Sequence, residues 1–198
     1  AMGILTMLFN RQIMRLLGSD ALAVYGIIVN VSTIVQCCGY SVGQAAQPIL
    51  SQNFGAGLYS RIRQLLRLAV TASLLFGIAW TAAVWAAPLA FVQIFMAPSP
   101  EVLAIAPAIL RAYALSFLLL PLNIFSTYFF QSVLRAELSF GIAVSRGAVI
   151  SGSLILLLPV LLGPDAIWYA MPVTELLVFL AAAVLLRRTV RSMESAAQ

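Results

Sequence analysis

Long apolar runs separated by short charged stretches make up most of the chain. No charged residue stands between Asp20 and Arg61 or between Arg67 and Glu101. The later runs exceed the roughly 20 residues that a helix needs to cross a bilayer. The first run is shorter and starts in mid-pattern, so we predict five complete membrane-spanning helices and one truncated helix. The predicted spans cover about residues 1–17, 21–51, 64–95, 104–134, 138–162 and 166–187, within a single lobe of residues 1–198.

The charges between the predicted spans alternate in sign from one turn to the next. The turns after the first, third and fifth spans carry acids and no Arg. Arg61, Arg63, Arg67, Arg135, Arg187, Arg188 and Arg191 follow the second, fourth and sixth spans. Because basic residues are retained on the cytoplasmic side, this alternation predicts a multi-pass protein of the plasma membrane (a bacterial inner membrane) with a cytoplasmic C-terminus. Arg11 and Arg15 lie toward the outer end of the first span and are the exception.

Composition decides which solvent surrounds these helices. The chain is 63% hydrophobic and 9% charged, with a mean hydropathy of +1.04, whereas a soluble domain is about 25% charged. The predicted surroundings are therefore a lipid bilayer. Every basic residue is Arg, and most of them stand near helix ends without interleaved aromatic residues, which argues against nucleic acid. His is absent and Cys37 and Cys38 are adjacent, so no metal site, cofactor or disulfide framework is predicted.

Polar side chains recur on one face of several predicted spans. Each residue of a helix turns by about 100°, so offsets of 4, 7 or 11 residues share a face. One interpretation is hydrogen bonding between packed helices, at about 0.6–2 kcal/mol per contact; this is the better interpretation for any single residue. For the whole set we favour a shared polar interior. The candidates for a substrate pathway are Gln36, Tyr40, Gln44, Gln47, Asn123, Thr127, Tyr128 and Gln131.

Two charges fall deep inside the last two spans. In the fifth span Ser139, Arg146 and Ser153 recur at intervals of seven residues, and Glu175 lies inside the sixth. At 1.5 Å per residue, Arg146 is roughly 12 Å and Glu175 roughly 16 Å from the cytoplasmic end of its span. Similar depths predict a buried ion pair, which would relieve the cost of isolated charges in lipid. We favour a structural lock between the helices over a protonatable switch at Glu175.

The segment at residues 43–57 carries the most informative motif, Gly-Gln-Ala-Ala-Gln-Pro-Ile-Leu-Ser-Gln-Asn-Phe-Gly-Ala-Gly. It resembles the G-x-x-x-Q-P-x-x-x-x-N-x-G-A signature of the MATE (multidrug and toxic compound extrusion) family. Further stretches at 10–27, 128–135 and 145–168 are similar to that family in the same order and spacing. The signature residues in this chain are Gln47, Pro48, Asn53, Gly55 and Ala56.

The resemblance implies an all-α, polytopic transmembrane helical bundle that is one lobe, the C-terminal one, of a two-lobe transporter. It implies alternating-access export of small amphipathic or cationic compounds against a proton or sodium gradient, with protons favoured and no other cofactor. An N-terminal six-helix lobe is the implied partner. Some sodium-coupled members carry an acid near the position of Asn123. The amide here implies that the coupling carboxylate belongs to the other lobe.

Three alternatives compete with this interpretation. A flippase for lipid-linked precursors of the same superfamily could use the same architecture. A non-transporting structural bundle is disfavoured by the polar faces and by the prolines in or near the spans. An intramembrane enzyme would need a nucleophile with its base, paired acids or a metal site, and the chain presents no such set. We therefore predict that the protein is not an enzyme.

Overall fold

The computed structural model describes residues 2–195 as helices joined by short turns. No strand occurs within that range, so the all-α prediction is confirmed. Residues 1 and 196–198, which the predicted lobe includes, lie outside it. The α-helices are α1 (Met2–Leu16), α2 (Gly18–Gly55), α3 (Tyr59–Ala86), α4 (Pro88–Phe95), α5 (Pro100–Ala114), α6 (Leu120–Ser132), α7 (Ala136–Val144), α8 (Ile150–Leu162) and α9 (Ala170–Ser195). Two 3-10 segments cover Leu115–Leu118 and Pro164–Tyr169, and a π-helical turn covers Ser145–Val149.

Five helical stretches are long and apolar enough to cross a membrane. Two α-helices lie outside these stretches. Helix α4 has 8 residues, and α1 has 15, which is about 22 Å of helix against a hydrocarbon core of about 30 Å. The predicted count of six spans is therefore corrected to five within residues 2–195, and α1 is the stretch that was predicted as truncated. The five are Gly18–Gly55, Tyr59–Ala86, Pro100–Ser132, Ala136–Leu162 and Pro164–Met193.

The structure departs most from the predicted boundaries in the third span, 64–95. Its helix begins earlier, at Tyr59, and breaks at Ala87 into α3 and α4. Pro88 has no amide hydrogen to continue the helix, and the residue before a proline is disfavoured in the helical region. Ala87 accordingly takes φ −134° and ψ 56°. Apolar residues continue on both sides of the break, so hydropathy carries no signal for it.

Helix α2 runs through the centre of the lobe and packs against α1, α3, α5 and α6. Two glycines four residues apart allow the close approach of α6. A Cβ atom on Gly39 would meet Pro121 and Ile124, and one on Gly43 would overlap the Tyr128 ring. Without a hydrophobic driving force between helices in lipid, such small residues let helices gain close van der Waals contact. Gly43 is also the first residue of the signature segment, which links that motif to helix packing.

Large apolar side chains cover the outside of the lobe. Phe140 is 70% exposed, and Val160 and Leu161 on α8 are 81% and 72% exposed. Surfaces of this kind are unfavourable in water, at about 25 cal/mol per Å² of apolar area. They are suited to lipid, so the lobe is a multi-pass membrane structure set in a bilayer.

Candidate substrate cavity

A half-open cavity of about 470 Å³ lies between α1, α2, α5, α6, α9 and the π-helical turn. Along α2 its wall runs from Tyr25 to Tyr40, about 22 Å at 1.5 Å per residue. That length is most of the roughly 30 Å hydrocarbon core. Apolar side chains such as Leu5, Val29 and Met171 line it together with polar ones. A cavity of this size and mixed lining suits a small amphipathic molecule.

Arg146 and Glu175 meet in the wall of this cavity and are its only charged residues among those described. The Nε of Arg146 donates a hydrogen bond to Oε1 of Glu175 at 2.9 Å. Asn123 Nδ2 donates to the other carboxylate oxygen, Oε2, at 2.7 Å and to the Glu175 carbonyl oxygen at 2.8 Å. The Glu175 side chain is 0% exposed and that of Arg146 is 18% exposed. Each oxygen of the buried carboxylate therefore accepts one hydrogen bond, which offsets part of the cost of burying the charge.

A π-helical turn positions Arg146. The turn at Ser145–Val149 inserts one residue between α7 and α8, and such turns occur frequently at functional sites. The insertion shifts every later side chain around the axis by about 100°. Ser139, before the turn, is buried, whereas Ser153, after it, is exposed and bonds the Val149 carbonyl oxygen at 2.7 Å. The predicted seven-residue stripe of Ser139, Arg146 and Ser153 therefore does not stay on one face.

Aromatic rings stand at both ends of the cavity. At the end near α1, Phe9 stacks on Tyr25 with ring centroids 4.9 Å apart, and Tyr113 packs edge-on to both. At the opposite end, Tyr40 and Tyr128 form an edge-to-face pair with centroids 6.5 Å apart. Aromatic pairs of this geometry are rigid apolar surfaces that also attract cations through their ring faces.

Five of the eight predicted pathway residues line the cavity: Gln36, Tyr40, Thr127, Tyr128 and Gln131. Asn123 lies behind the wall and holds Glu175. Gln44 is exposed and is not among the lining residues. Gln47 Nε2 makes a long contact of 3.5 Å to Gln131 Oε1, and Gln131 Nε2 donates to Ser139 Oγ at 3.1 Å. These amides tie α2, α6 and α7 together at one end of the cavity.

The prediction from sequence missed the half of the cavity that lies near α1. Tyr25, Val29, Ser32, Gln36 and Tyr40 follow one face of α2 at offsets of 0, 4, 7, 11 and 15, and all five line the cavity. The stripe predicted from sequence follows this face in the opposite direction, from Gln36 toward Gln44 and Gln47. Extending the stripe by one turn before Gln36 reaches Ser32, and by three turns reaches Tyr25. Thr6 on α1 also lines the cavity, and the short first run carried no helical stripe that indicated it.

The signature residues end α2 and shape the turn that follows. Pro48 lies inside the helix, and Asn53 Nδ2 donates to the Ile49 carbonyl oxygen at 2.7 Å. Gly55 is the last helical residue, and the Ala56 amide donates to the Gln52 carbonyl oxygen at 3.1 Å. The signature thus closes the helix and does not line the cavity. Among residues 2–195, no group of three His, Cys, Asp or Glu side chains could hold a metal ion.

Solved structures of transporters share this helical arrangement. The chain aligns over 98% of its length with 44% of the outward-facing conformation of a multidrug resistance MATE family transporter of the MOP superfamily, at a TM-score of 0.89 and 14% identity. An inward-facing MATE family structure matches at a TM-score of 0.88 and 13% identity, over 100% of this chain and 46% of that one. A MOP superfamily transporter from Pyrococcus furiosus is described as having a binding pocket of reverse polarity. It matches at a TM-score of 0.88 and 12% identity, over 98% of this chain and 44% of that one.

These identities are low, so the structural likeness establishes the fold alone, and the chain spans about 44% of the length of those transporters. No curated protein matches the chain by sequence. The class that fold and bilayer setting define is a polytopic helical membrane protein. The MatE family profile matches residues 1–156, and the chain belongs to this family. The resemblance that rested on four motifs is thereby confirmed.

Proposed function

We propose that this chain forms one lobe of an antiporter that exports amphipathic, predominantly cationic compounds by alternating access. The observation that carries the proposal is the cavity along α2 from Tyr25 to Tyr40, inside a chain of the MatE family. Its wall combines apolar side chains with neutral hydrogen-bonding groups. The Tyr40–Tyr128 pair suits a flat, weakly polar cation, at about 0.5–2 kcal/mol per cation–π contact.

The coupling ion is proposed to be a proton, or else sodium, bound outside this lobe. Glu175 is the only acid that lines the cavity among the described residues. Each of its two carboxylate oxygens accepts a hydrogen bond, one from Arg146 and one from Asn123, which supports a structural lock over an ion-exchanging site. We therefore assign the coupling carboxylate to a companion six-helix lobe. No cofactor and no catalytic role are part of the proposal.

The proposed location is a plasma membrane, with α2 ending at Gly55 on the cytoplasmic face and the C-terminus on the same side. The support is the distribution of Arg between spans, because basic loops are retained in the cytoplasm. Alternating access then consists of rocking this lobe against its companion around a site near the middle of the membrane.

Transport in proteoliposomes tests the proposal. The chain is reconstituted together with a companion six-helix lobe of the family, and tetraphenylphosphonium flux is followed under an imposed pH or sodium gradient. We expect flux that collapses when an ionophore removes the gradient, and no flux from the chain alone. Absence of flux under both gradients would refute the antiporter. Movement of fluorescent lipid between leaflets without any gradient would instead identify a flippase.

A further inference from the structure

Arg146 has more hydrogen-bond donors than the lobe uses. A guanidinium carries five N–H groups in a rigid planar fork. One of them, on Nε, is bonded to Glu175, and no other acceptor within residues 2–195 bonds this guanidinium. The side chain is 18% exposed and lines the cavity. Its terminal amino groups therefore face the space that a ligand would fill.

Glu175, the acid of the pair, presents no comparable free hydrogen-bonding group to a ligand in the cavity. Glu175 is 0% exposed, and each of its carboxylate oxygens accepts a hydrogen bond, one from Arg146 and one from Asn123. The other polar lining groups are neutral hydroxyls and amides. The formal charge of the pair is zero. The cavity nevertheless meets mainly the N–H groups of Arg146 that Glu175 does not bond.

We propose that this cavity binds amphipathic compounds through an oxyanion, a carboxylate or phosphate group, placed on the terminal amino groups of Arg146. The planar guanidinium fork matches two oxygens of such a group. Tyr40 and Tyr113 line the same cavity as Arg146, and Tyr128 packs against Tyr40, so an aromatic body can rest beside the anchored oxyanion. The proposal rests on the proposed function for transport. Among the amphipathic compounds proposed there, it identifies those that add an acidic group, zwitterions included, as the ones that bind most tightly.

A matched pair of dyes tests this binding mode. Tetramethylrhodamine carries a free carboxylate and its methyl ester does not, while the cationic ring system is the same. Binding of each dye to the purified chain in detergent is measured by fluorescence anisotropy. We expect the free acid to bind roughly 10- to 100-fold more tightly, the range for a hydrogen bond between charged groups. Equal binding, or tighter binding of the ester, would overturn the proposal.

Three variants separate the anchor from general effects. Arg146→Gln combined with Glu175→Gln removes the guanidinium without stranding a charge, and it should abolish the preference for the free acid. Glu175→Gln alone releases Arg146 from its competitor, and it should strengthen binding of the free acid several-fold. Arg67→Gln removes an exposed Arg from α3 and should bind both dyes as the parent does. Circular dichroism shows whether the double variant folds. If it does not, the affinity of Glu175→Gln for the free acid decides, and an affinity that does not increase refutes the binding of the oxyanion by Arg146.

The same oxyanion chemistry belongs to acidic lipid headgroups, so the measurement is repeated in nanodiscs. One set contains phosphatidylcholine alone and the other also contains phosphatidylglycerol. Persistence of the preference in both supports a soluble amphiphile as the occupant. Loss of the preference only with phosphatidylglycerol would overturn the soluble-compound proposal in favour of a lipid headgroup. Because no gradient and no second lobe enter these measurements, a failure here is distinguishable from a failure of transport.

Discussion

Removing one member of the Asn123–Glu175–Arg146 network should destabilise the lobe by an amount that depends on which member is removed. Arg146→Gln leaves a fully buried carboxylate with Asn123 as its remaining donor. Stranding a buried charge in this way costs about 3–5 kcal/mol. Glu175→Gln strands a guanidinium that is 18% exposed to the cavity, where water can solvate it. We expect that substitution to cost less, about 1–3 kcal/mol by analogy with an unsatisfied polar group.

The double substitution separates pairing from independent effects. With both charges removed, no ion is left unpaired, so we expect a loss smaller than that of Arg146→Gln alone. The two single losses would then exceed the double loss by at least about 2 kcal/mol, which is a large coupling energy for residues in contact. Asn123→Ala should cost about 1–3 kcal/mol, because it removes the donor to Oε2 of the carboxylate.

The assay is the free energy of unfolding in mixed micelles, followed by the fluorescence of Trp80, Trp85 and Trp168. Leu161→Ala on the exposed face of α8 is the control and should change stability by less than about 0.5 kcal/mol. Additive losses in the double variant would refute the idea that the pair locks α9 to the π-helical turn. Normal stability in Glu175→Gln, combined with lost pH-driven transport in the assembled transporter, would identify a proton switch in place of a lock.

Two further predictions concern packing and orientation. Gly43→Ala should destabilise the lobe by about 1–3 kcal/mol, because the added methyl group overlaps the Tyr128 ring. Gly152→Ala, which meets nothing within 4 Å in α8, should be neutral or stabilise by up to about 1 kcal/mol; equal effects of the two in a thermal unfolding assay would contradict the packing described. In a chain without its native cysteines, Arg61→Cys should react with an impermeant maleimide only from the cytoplasmic side and Ala97→Cys only from outside, and external labelling at position 61 would refute the orientation.

Hydropathy was sufficient for the helical class because lipid leaves backbone groups no partner outside a helix or barrel. The breaks within spans were not predictable in the same way. Ala87 and Pro88 lie between apolar residues, and the 3-10 segment at Leu115–Leu118 precedes Pro121 without any change in hydropathy. Both arise from a missing proline amide hydrogen, whose effect depends on what packs nearby. Gly77 on α3 is an example of such a neighbour. A side chain there would overlap the Leu118 carbonyl oxygen, so the 3-10 segment can pack against α3 only because this residue is glycine.

The cavity was predictable only where helical phase was regular. On α2 the face through Gln36 and Tyr40 does line the cavity, since an unbroken helix preserves a period of 3.6 residues. The ion pair followed from the depths of Arg146 and Glu175, which are both set by rise per residue. Sequence spacing could not predict the π-helical turn, which moves Ser153 off the face of Ser139. It also could not predict that Asn123 bonds the Glu175 carboxylate and does not line the cavity.

Protection of the cavity by a transported compound tests most directly whether this space is the substrate path. Thr33 is exposed and lines the cavity, and Gln44, three turns further along α2, is exposed and does not. With Cys37 and Cys38 replaced by Ser, we measure maleimide labelling of Thr33→Cys and Gln44→Cys in the assembled transporter. Saturating tetraphenylphosphonium should slow labelling several-fold at position 33 and leave position 44 unchanged. Protection at position 44 alone, or at neither position, would contradict a substrate path through this cavity.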